Sequence, residues 1–444
     1  MRILLACEFF YPSVGGVQEV MRQLGERLAA VGHEVTVATM YLPERKTRSI
    51  HGVIVREFKV AGNLVRGMQG DVKRYRDFVL QQDYDVLLIK AAQQWTFDAL
   101  TPVLQDIRKP KIFIPCGFSG MYDPMYADYF RAMPGWLQQF DRLIFYASHY
   151  RDIDMARKHG LSNIRIVPNG ADEREFNVER DRAFRSRHAI PDNAFVVMTV
   201  GSVTGYKGHA ELAAAFESCD FGPRPACLLL IGNRTGKRTR WHDMAREMYR
   251  FGGSVRVAKW MLRPALEKIG LEWLLIALGH TPGAMLPKRG LPAEDAVEEI
   301  LVRVNTVRGR KAMLVDLPRA EVIQAYFNCD LFVFASKIEY SPLVLFEAAA
   351  AGLPFLSVPV GNASEIAAWT GGGVICEAEV DAVGYTQVNP EKLARQIETL
   401  AGQPEMLARL SAHGRHAWLQ RFSWSTIFRS YEKILEECLE ETAV

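Results

Sequence analysis

Two glutamates, Glu339 and Glu347, lie eight positions apart around a predicted helix start. An apolar run before them predicts a strand, and the residues between them predict a first helical turn, with Ser341 as N-cap, Pro342 as first helical residue and Leu343 following. A helix start directs free backbone N–H groups at the carboxyl end of the preceding strand, which suits a diphosphate. Glu347 could accept hydrogen bonds from a ribose diol, and Glu339 could face a sugar. A more common explanation of such a stretch is a capped helix with two acidic side chains that face solvent.

A lysine and a glycine pair stand at two further strand-to-helix turns. Lys207 follows a predicted strand at 195–200 and a glycine-containing turn, where a positive charge would stabilise a departing diphosphate. An exposed surface lysine is the alternative. Gly15 and Gly16 follow the first predicted strand and permit close approach of the backbone to a ligand, although a generic turn explains them equally well.

Composition and motif searches exclude several classes of function. The 54 Lys and Arg residues against 51 acids give a net charge of +3, which offers no case for nucleic acid. Seven cysteines never spaced C-x-x-C disfavour zinc and disulfides and favour a reducing compartment. No G-x-G-x-x-G, G-x-S-x-G or H-x-x-x-H motif is found, so a dinucleotide oxidoreductase, a serine hydrolase and a metal site are disfavoured. No apolar stretch approaches ~18 residues, so we expect a soluble, cytoplasmic protein.

Apolar runs alternate with amphipathic segments along the 444 residues, the pattern of parallel sheets covered by helices. We predict an α/β protein with two Rossmann-like domains that face each other across a cleft, the default ligand site. The predicted divisions are a first domain at 1–167, a linker at 168–194, a second domain at 195–421 with a basic insertion at 234–311, and a C-terminal helix at 422–444.

Several stretches resemble one known family. Glu339-x7-Glu347, with Gly352-Leu-Pro354 after it, resembles the signature of the family 4 retaining glycosyltransferases of the GT-B fold. Other stretches resemble further parts of that family in the same order: residues 7–18, 32–37, Ser148 and 167–172 with Phe176, 200–209, and 422–424. Each motif is weak alone, but their shared order covers nearly the whole chain outside the insertion.

The resemblance implies a two-domain fold whose C-terminal helix crosses back to the first domain. It also implies transfer of a sugar from a nucleoside diphosphate sugar, UDP- or GDP-linked, to an acceptor hydroxyl, with retention of anomeric configuration and without metal or cofactor. By resemblance, Lys207 would act on the diphosphate, Glu347 on the ribose and Glu339 near the sugar, while Gly15 and Gly16 would lie near donor phosphates and acceptor. The acceptor would be a glycan or a lipid-linked molecule, in glycan, polysaccharide or glycolipid biosynthesis.

Two positions depart from the family pattern. Ser202 stands where the family usually has an arginine five residues before the lysine, and Arg234, after a strand end, could substitute for it on the donor. Cys116-Gly117 stands where the family commonly has a histidine on the sugar side, and a buried cysteine would not replace an imidazole. A catalytically weak nucleotide-sugar-binding or partner subunit therefore stays open, as does a GT-B relative such as an epimerase or a phosphorylase.

The predicted insertion carries most of the asymmetry in charge. Residues 234–311 contain sixteen Lys and Arg and eight Asp and Glu, a net of +8, together with tryptophan-containing amphipathic segments. Such segments can lie on an anionic membrane, where a lipid-linked acceptor would place the enzyme at the cytoplasmic face. A helical subdomain that packs these residues inward, or a surface for self-association, is the alternative.

Overall fold

The computed structural model describes residues 1–233 and 293–441. These residues form two α/β domains, each built on a twisted sheet whose strands are mostly parallel. Successive residues of the first strand enter different apolar clusters, Ile3 and Leu5 in one and Leu4 and Ala6 in the other. Both faces of the sheet are therefore covered, which explains why its strands are continuous apolar runs rather than alternating ones.

The first domain contains an eight-stranded sheet of order β10-β9-β8-β7-β1-β2-β4-β3, in which only β3 runs antiparallel to its neighbour. Its strands are β1 (Arg2–Ala6), β2 (Glu34–Met40), β3 (Ser49–Ile50), β4 (Val53–Phe58), β5 (Val60–Ala61), β6 (Gln69–Gly70), β7 (Val86–Lys90), β8 (Lys111–Ile114), β9 (Arg142–Phe145) and β10 (Ile164–Ile166), with β5 and β6 forming a separate pair. Its helices are α1 (Gly16–Ala30), α2 (Val72–Gln81), α3 (Trp95–Asp98), α4 (Ala127–Leu137) and α5 (Arg151–Lys158). The predicted linker contains α6 (Glu173–Phe176) and α7 (Phe184–Arg187).

The second domain contains a six-stranded parallel sheet of order β13-β12-β11-β14-β15-β16. Its strands are β11 (Phe195–Val200), β12 (Ala226–Ile231), β13 (Arg310–Val315), β14 (Leu331–Phe334), β15 (Phe355–Ser357) and β16 (Gly373–Ile375), and a separate hairpin pairs β17 (Glu379–Val380) with β18 (Thr386–Gln387). Its helices are α8 (His209–Ser218), α9 (Ala293–Thr306), α10 (Arg319–Asn328), α11 (Leu343–Ala351), α12 (Ala363–Thr370), α13 (Pro390–Ala401) and α14 (Pro404–Ala417), before the final helix α15 (Trp424–Glu440).

The structure corrects the C-terminal limit of the insertion predicted at 234–311. Helix α9 and the first two residues of strand β13 lie within that range, yet β13 pairs in parallel with β12 along its whole length. These residues belong to the second domain's own sheet. The excess of positive charge predicted for the insertion lies in residues 234–292, because residues 293–311 contain four basic and four acidic residues. Arg234 and the rest of 234–292 lie outside the described residues.

Helix α15 follows the second domain in sequence and packs against the first domain. The chain leaves α14 through a short π-helical turn, Trp418–Phe422, and then packs α15 against α1 of the first domain. The Trp418 indole donates a hydrogen bond to the Ala171 carbonyl at 3.0 Å, and Arg142 pairs with Glu441 at the far end of α15. The predicted return of the C-terminal helix to the first domain is confirmed. Among the described helices, none combines the length and apolar character needed to cross a membrane.

One lysine is fully buried at the end of β7. Lys90 has no accessible surface, and its ammonium donates a hydrogen bond to the Tyr146 hydroxyl while lying 4.5 Å from the centre of the Tyr146 ring. Burial lowers the pKa of Lys90 below its ordinary value. The folded protein therefore holds this proton less tightly than the unfolded chain does.

We expect Lys90→Met to change the pH dependence of stability. The pKa of Lys90 is lower in the folded state, so wild-type protein loses stability as pH falls below about 10.5 toward the folded pKa, by about 1.4 kcal/mol for each unit of difference. The methionine variant lacks this loss. Urea unfolding at pH 7 and pH 9.5 should show a stability advantage of the variant that is larger at pH 7. An advantage that stays constant across this range would contradict the assignment.

Candidate active site

The loop between β14 and α11 carries the two glutamates at the carboxyl edge of the second sheet. Helix α11 begins at Leu343, with Pro342 in the N-cap position, so the predicted N-cap at Ser341 is wrong by one residue. The Ser341 carbonyl instead accepts a hydrogen bond from the Asn169 side chain at 3.0 Å, and its buried hydroxyl has no partner among the described residues. The free N–H groups of the first turn still face the cleft end of the sheet.

Lys207 and Glu339 are brought together as an ion pair. The Lys207 ammonium contacts the Glu339 carboxylate, which also accepts a hydrogen bond from the Ser336 hydroxyl at 3.2 Å. The Lys207 side chain is 33% exposed and that of Glu339 17%, so the pair lies at the surface of the cleft and a ligand can reach it. An anionic ligand would compete with Glu339 for Lys207.

The turn that carries Lys207 is held against the end of β14 by a glycine. Gly208 has φ +72°, and a Cβ atom there would lie 1.9 Å from the Ala335 carbonyl oxygen. Only glycine allows this approach without moving the backbone. The next residue, His209, is buried, and burial lowers its pKa to about 4, so the imidazole is neutral at pH 7. Lys207 therefore supplies the positive charge of this turn.

Glu347 is engaged on both oxygens. One oxygen accepts a hydrogen bond from Arg319 at 2.6 Å, and the other accepts from the Tyr326 hydroxyl at 2.9 Å. Arg319 also pairs with Glu175 at 2.6 Å. Burial opposes the charge of Arg319, but the two glutamates outweigh it and raise its pKa, while burial raises the pKa of Tyr326. Each carboxylate oxygen has a further lone pair, so Glu347 is held in one orientation with acceptor capacity left for a ligand hydroxyl.

Other predicted site residues occupy different positions around the cleft. Helix α1 begins at Gly16, directly after Gly15, and a Cβ on Gly16 would lie 3.7 Å from the Leu343 side chain. The starts of α1 and α11 therefore meet across the domain boundary. Ser202 is exposed, and its hydroxyl donates a hydrogen bond to the Asn233 side-chain oxygen at 3.3 Å. The side chain at this position is therefore uncharged.

Cys116 and Gly117 end β8 but do not face open space. A Cβ on Gly117 would lie 2.7 Å from Cγ of Tyr340, so the tyrosine ring covers this glycine. Burial raises the pKa of the Cys116 thiol, which therefore stays protonated. Tyr340 was missed by sequence reasoning although it directly follows Glu339, because nothing in the local pattern shows which domain its ring enters. Arg319 was missed because it belongs to no motif.

The backbone is unusual where β7 and β8 end. Four residues other than glycine have left-handed φ values there: Ala91 (72°), Gln93 (63°), Cys116 (66°) and Phe118 (52°). Such conformations cost energy and cluster where a site needs a particular loop shape. These four residues lie after β7 and β8, on the first domain's side of the cleft. In the part of the chain that the structure describes, no group of three His, Cys, Asp or Glu residues could hold a metal ion.

Comparison with known proteins agrees with this geometry. The family model described as Glycosyltransferase Family 4 matches residues 14–175, and the model described as Glycosyl transferases group 1 matches residues 308–417. The chain belongs to the family 4 glycosyltransferases. The two matches fall in the two domains, one on each side of the cleft, and the glycosyltransferase has the GT-B fold. No curated protein sequence matched the chain.

Solved structures share the fold of the glycosyltransferase at low sequence identity. Sucrose-phosphate synthase from Thermosynechococcus elongatus is 16% identical with a TM-score of 0.68, each chain being covered to 99%. HepE from Anabaena, in complex with UDP-glucose, is 15% identical with a TM-score of 0.63, covering 98% of this chain and 100% of its own. WaaG, a glycosyltransferase involved in lipopolysaccharide biosynthesis, is 14% identical with a TM-score of 0.60, covering 97% and 99%.

We expect Gly208→Ala to destabilise the second domain more than a glycine substitution with a similar φ elsewhere. The methyl group would overlap the Ala335 carbonyl, and the left-handed backbone adds about 1 kcal/mol, for a total of roughly 3 kcal/mol. Gly309 is the matched control, because it has φ +80° with no atom within 4 Å of an added Cβ, so Gly309→Ala should cost about 1 kcal/mol. Urea unfolding measures both. Equal losses would show that the approach to Ala335 is not a constraint.

Proposed function

We propose that this glycosyltransferase moves a sugar from a nucleoside diphosphate sugar to an acceptor hydroxyl with retention of anomeric configuration. The observation that carries the proposal is the contact of Lys207 with Glu339 beside the start of α11. A diphosphate that displaced Glu339 from Lys207 would meet a positive charge and free backbone N–H groups, with the released carboxylate close by. This arrangement can stabilise a departing diphosphate while the sugar develops positive charge.

Each predicted group then has a distinct role. Lys207 and the start of α11 stabilise the charge on the leaving diphosphate, and Glu347, oriented by Arg319 and Tyr326, accepts hydrogen bonds from the ribose hydroxyls. Glu339 lies beside the transferred sugar. The transition state resembles an oxocarbenium ion, as in glycoside hydrolysis. The acceptor hydroxyl attacks from the face that the diphosphate leaves, and a phosphate oxygen takes its proton.

We propose UDP-linked sugars as the first donors to test, because a neighbour of the same fold binds UDP and UDP-glucose. The acceptor is proposed to be a glycan or a lipid-linked molecule, and the enzyme is proposed to act in the cytoplasm.

Lys207 and the start of α11 would stabilise the charge of the diphosphate without a metal ion, and turnover in excess EDTA would test this. A partner subunit that binds donor without turnover is the second candidate, favoured by the neutral Ser202.

We expect Lys207→Ala to lower kcat by about 10²–10³-fold and to weaken UDP binding by roughly tenfold. Lys337→Ala is the matched control, since Lys337 lies at the same sheet edge with similar exposure (31%) and pairs with Glu211 at 2.6 Å. Calorimetry with UDP and turnover of UDP-sugars measure both variants, and NMR of the first product reports its anomeric configuration. UDP binding without turnover in wild type would favour the partner subunit, and an inverted product would contradict retention.

Peripheral membrane contact stays a proposal that rests on charge. Residues 234–292 contain twelve basic and four acidic residues and include several tryptophans. We expect vesicles with about one-third anionic lipid to retain the protein at low salt and to release it near 0.5 M salt, where charges are screened within a few ångströms. Neutral vesicles are the control. Failure of anionic vesicles to retain the full chain at low salt would contradict the proposal.

A further inference from the structure

A tyrosine in the loop between β14 and α11 of the second domain enters the first domain. Tyr340 directly follows Glu339, and its ring lies 5.5 Å from the Tyr146 ring, nearly parallel, and 4.9 Å from the Tyr150 ring. Gly117 forms the wall of this pocket, where any side chain would overlap the tyrosine. Three elements of the first domain, the ends of β8 and β9 and the start of α5, therefore enclose one side chain of the second.

Hydrogen bonds hold the phenol in this pocket. The Tyr340 hydroxyl accepts a hydrogen bond from the Tyr146 backbone N–H at 3.0 Å and interacts with the buried Asp152 carboxylate. Asp152 is itself fixed, because it accepts from the Gly117 N–H at 2.8 Å. The Tyr150 hydroxyl donates to the backbone carbonyl of Glu339 at 2.7 Å. The loop between β14 and α11 is thus bonded to the first domain at two consecutive residues, through the Glu339 carbonyl and the Tyr340 hydroxyl.

The same segment of the first domain makes further contacts across the boundary. The backbone N–H groups of Ser148 and His149 donate to the Glu365 carboxylate at the start of α12, at 2.9 and 3.0 Å. Arg151 donates to the Gly384 carbonyl at 2.9 Å. These contacts require the domains to be close, but they lie away from the reacting groups. Tyr340 differs because its chain neighbour carries the carboxylate that contacts Lys207.

We propose that Tyr340 is a positioning residue that acts as an interdomain latch, fixing the closed arrangement of the domains and the place of Glu339 beside Lys207. Adjacent residues cannot move independently, so separation of the domains withdraws the ring and displaces the Glu339 backbone with it. The place of Glu339 beside Lys207 therefore depends on the first domain as well as on Ser336 of its own domain. The kinetic part of this proposal rests on the proposed function, whereas the latch itself does not.

Two variants and a control test the latch in nucleotide-free protein. Tyr340→Phe removes the phenol bonds and keeps the ring, and Tyr340→Ala removes both. Tyr84→Phe is the matched control, because the buried Tyr84 hydroxyl donates to the Val79 carbonyl at 3.0 Å entirely within the first domain. The readout is hydrogen exchange at the amides of Ser148 and His149, which do not bond to Tyr340 and so report domain separation. Small-angle scattering gives the radius of gyration of the same samples.

The latch predicts about fivefold faster exchange at Ser148 and His149 in Tyr340→Ala, a smaller increase in Tyr340→Phe, and a larger radius of gyration in Tyr340→Ala. Tyr84→Phe should leave these amides unchanged. Unchanged exchange in a folded Tyr340→Ala would overturn the proposal, and Tyr340→Phe decides if the alanine variant fails to fold.

Measurement of turnover is the second test of the latch. We expect Tyr340→Phe to lower kcat about tenfold while UDP affinity changes less than twofold, because Lys207 and Glu347, the proposed ligands of the donor, are both in the second domain, whereas the position of Glu339 depends on closure. A rise in kcat would show that the contacts of the phenol hydroxyl slow turnover and would overturn the positioning role. Absence of turnover in wild type, together with faster exchange in Tyr340→Ala, would remove the proposed function and leave the latch in place.

Discussion

The site depends on one constraint, that a lysine and a glutamate from separate loops share the same edge of the second sheet. An exposed pair of this kind contributes little free energy, so the contact cannot assemble the loops. The loops are instead shaped by their neighbours, since Gly208 allows the Lys207 turn to touch Ala335 and Ser336 bonds to the Glu339 carboxylate. The ion pair is therefore the result of the surrounding packing and reports whether that packing is intact.

Both acidic groups of the motif already have positively charged partners. Glu339 has Lys207, and Glu347 has Arg319, which also binds Glu175. A diphosphate bound at Lys207, as proposed, would exchange one partner of that lysine for another rather than fill an uncompensated site. Glu347 is held by groups that a ligand need not displace, so it can keep its orientation through the reaction. The two glutamates thus differ in mobility although their spacing suggests a matched pair.

The sequence predicted the strands well where they are central and apolar. The predicted bounds of β11 at 195–200 agree with the structure because this strand is a strongly apolar segment between turns. Strand β13 was missed because it is an edge strand that begins with Arg310 and Lys311, and charge is common at sheet edges. Lys207 and Glu339 meet in the structure because they lie in the loops that follow β11 and β14, which are parallel neighbours. The pocket that Tyr340 occupies in the first domain could not be predicted, because local sequence patterns do not specify how two domains face each other.

The left-handed backbone at the ends of β7 and β8 bears on how this enzyme could be engineered. Ala91, Gln93, Cys116 and Phe118 each hold a conformation that glycine adopts at lower cost, so glycine there would relieve strain in the folded state. The same substitution would enlarge the conformational freedom of the unfolded chain and loosen the loops beside the cleft. A search for thermostable variants should therefore leave these four positions unchanged and look for gains on surfaces far from the two strand ends.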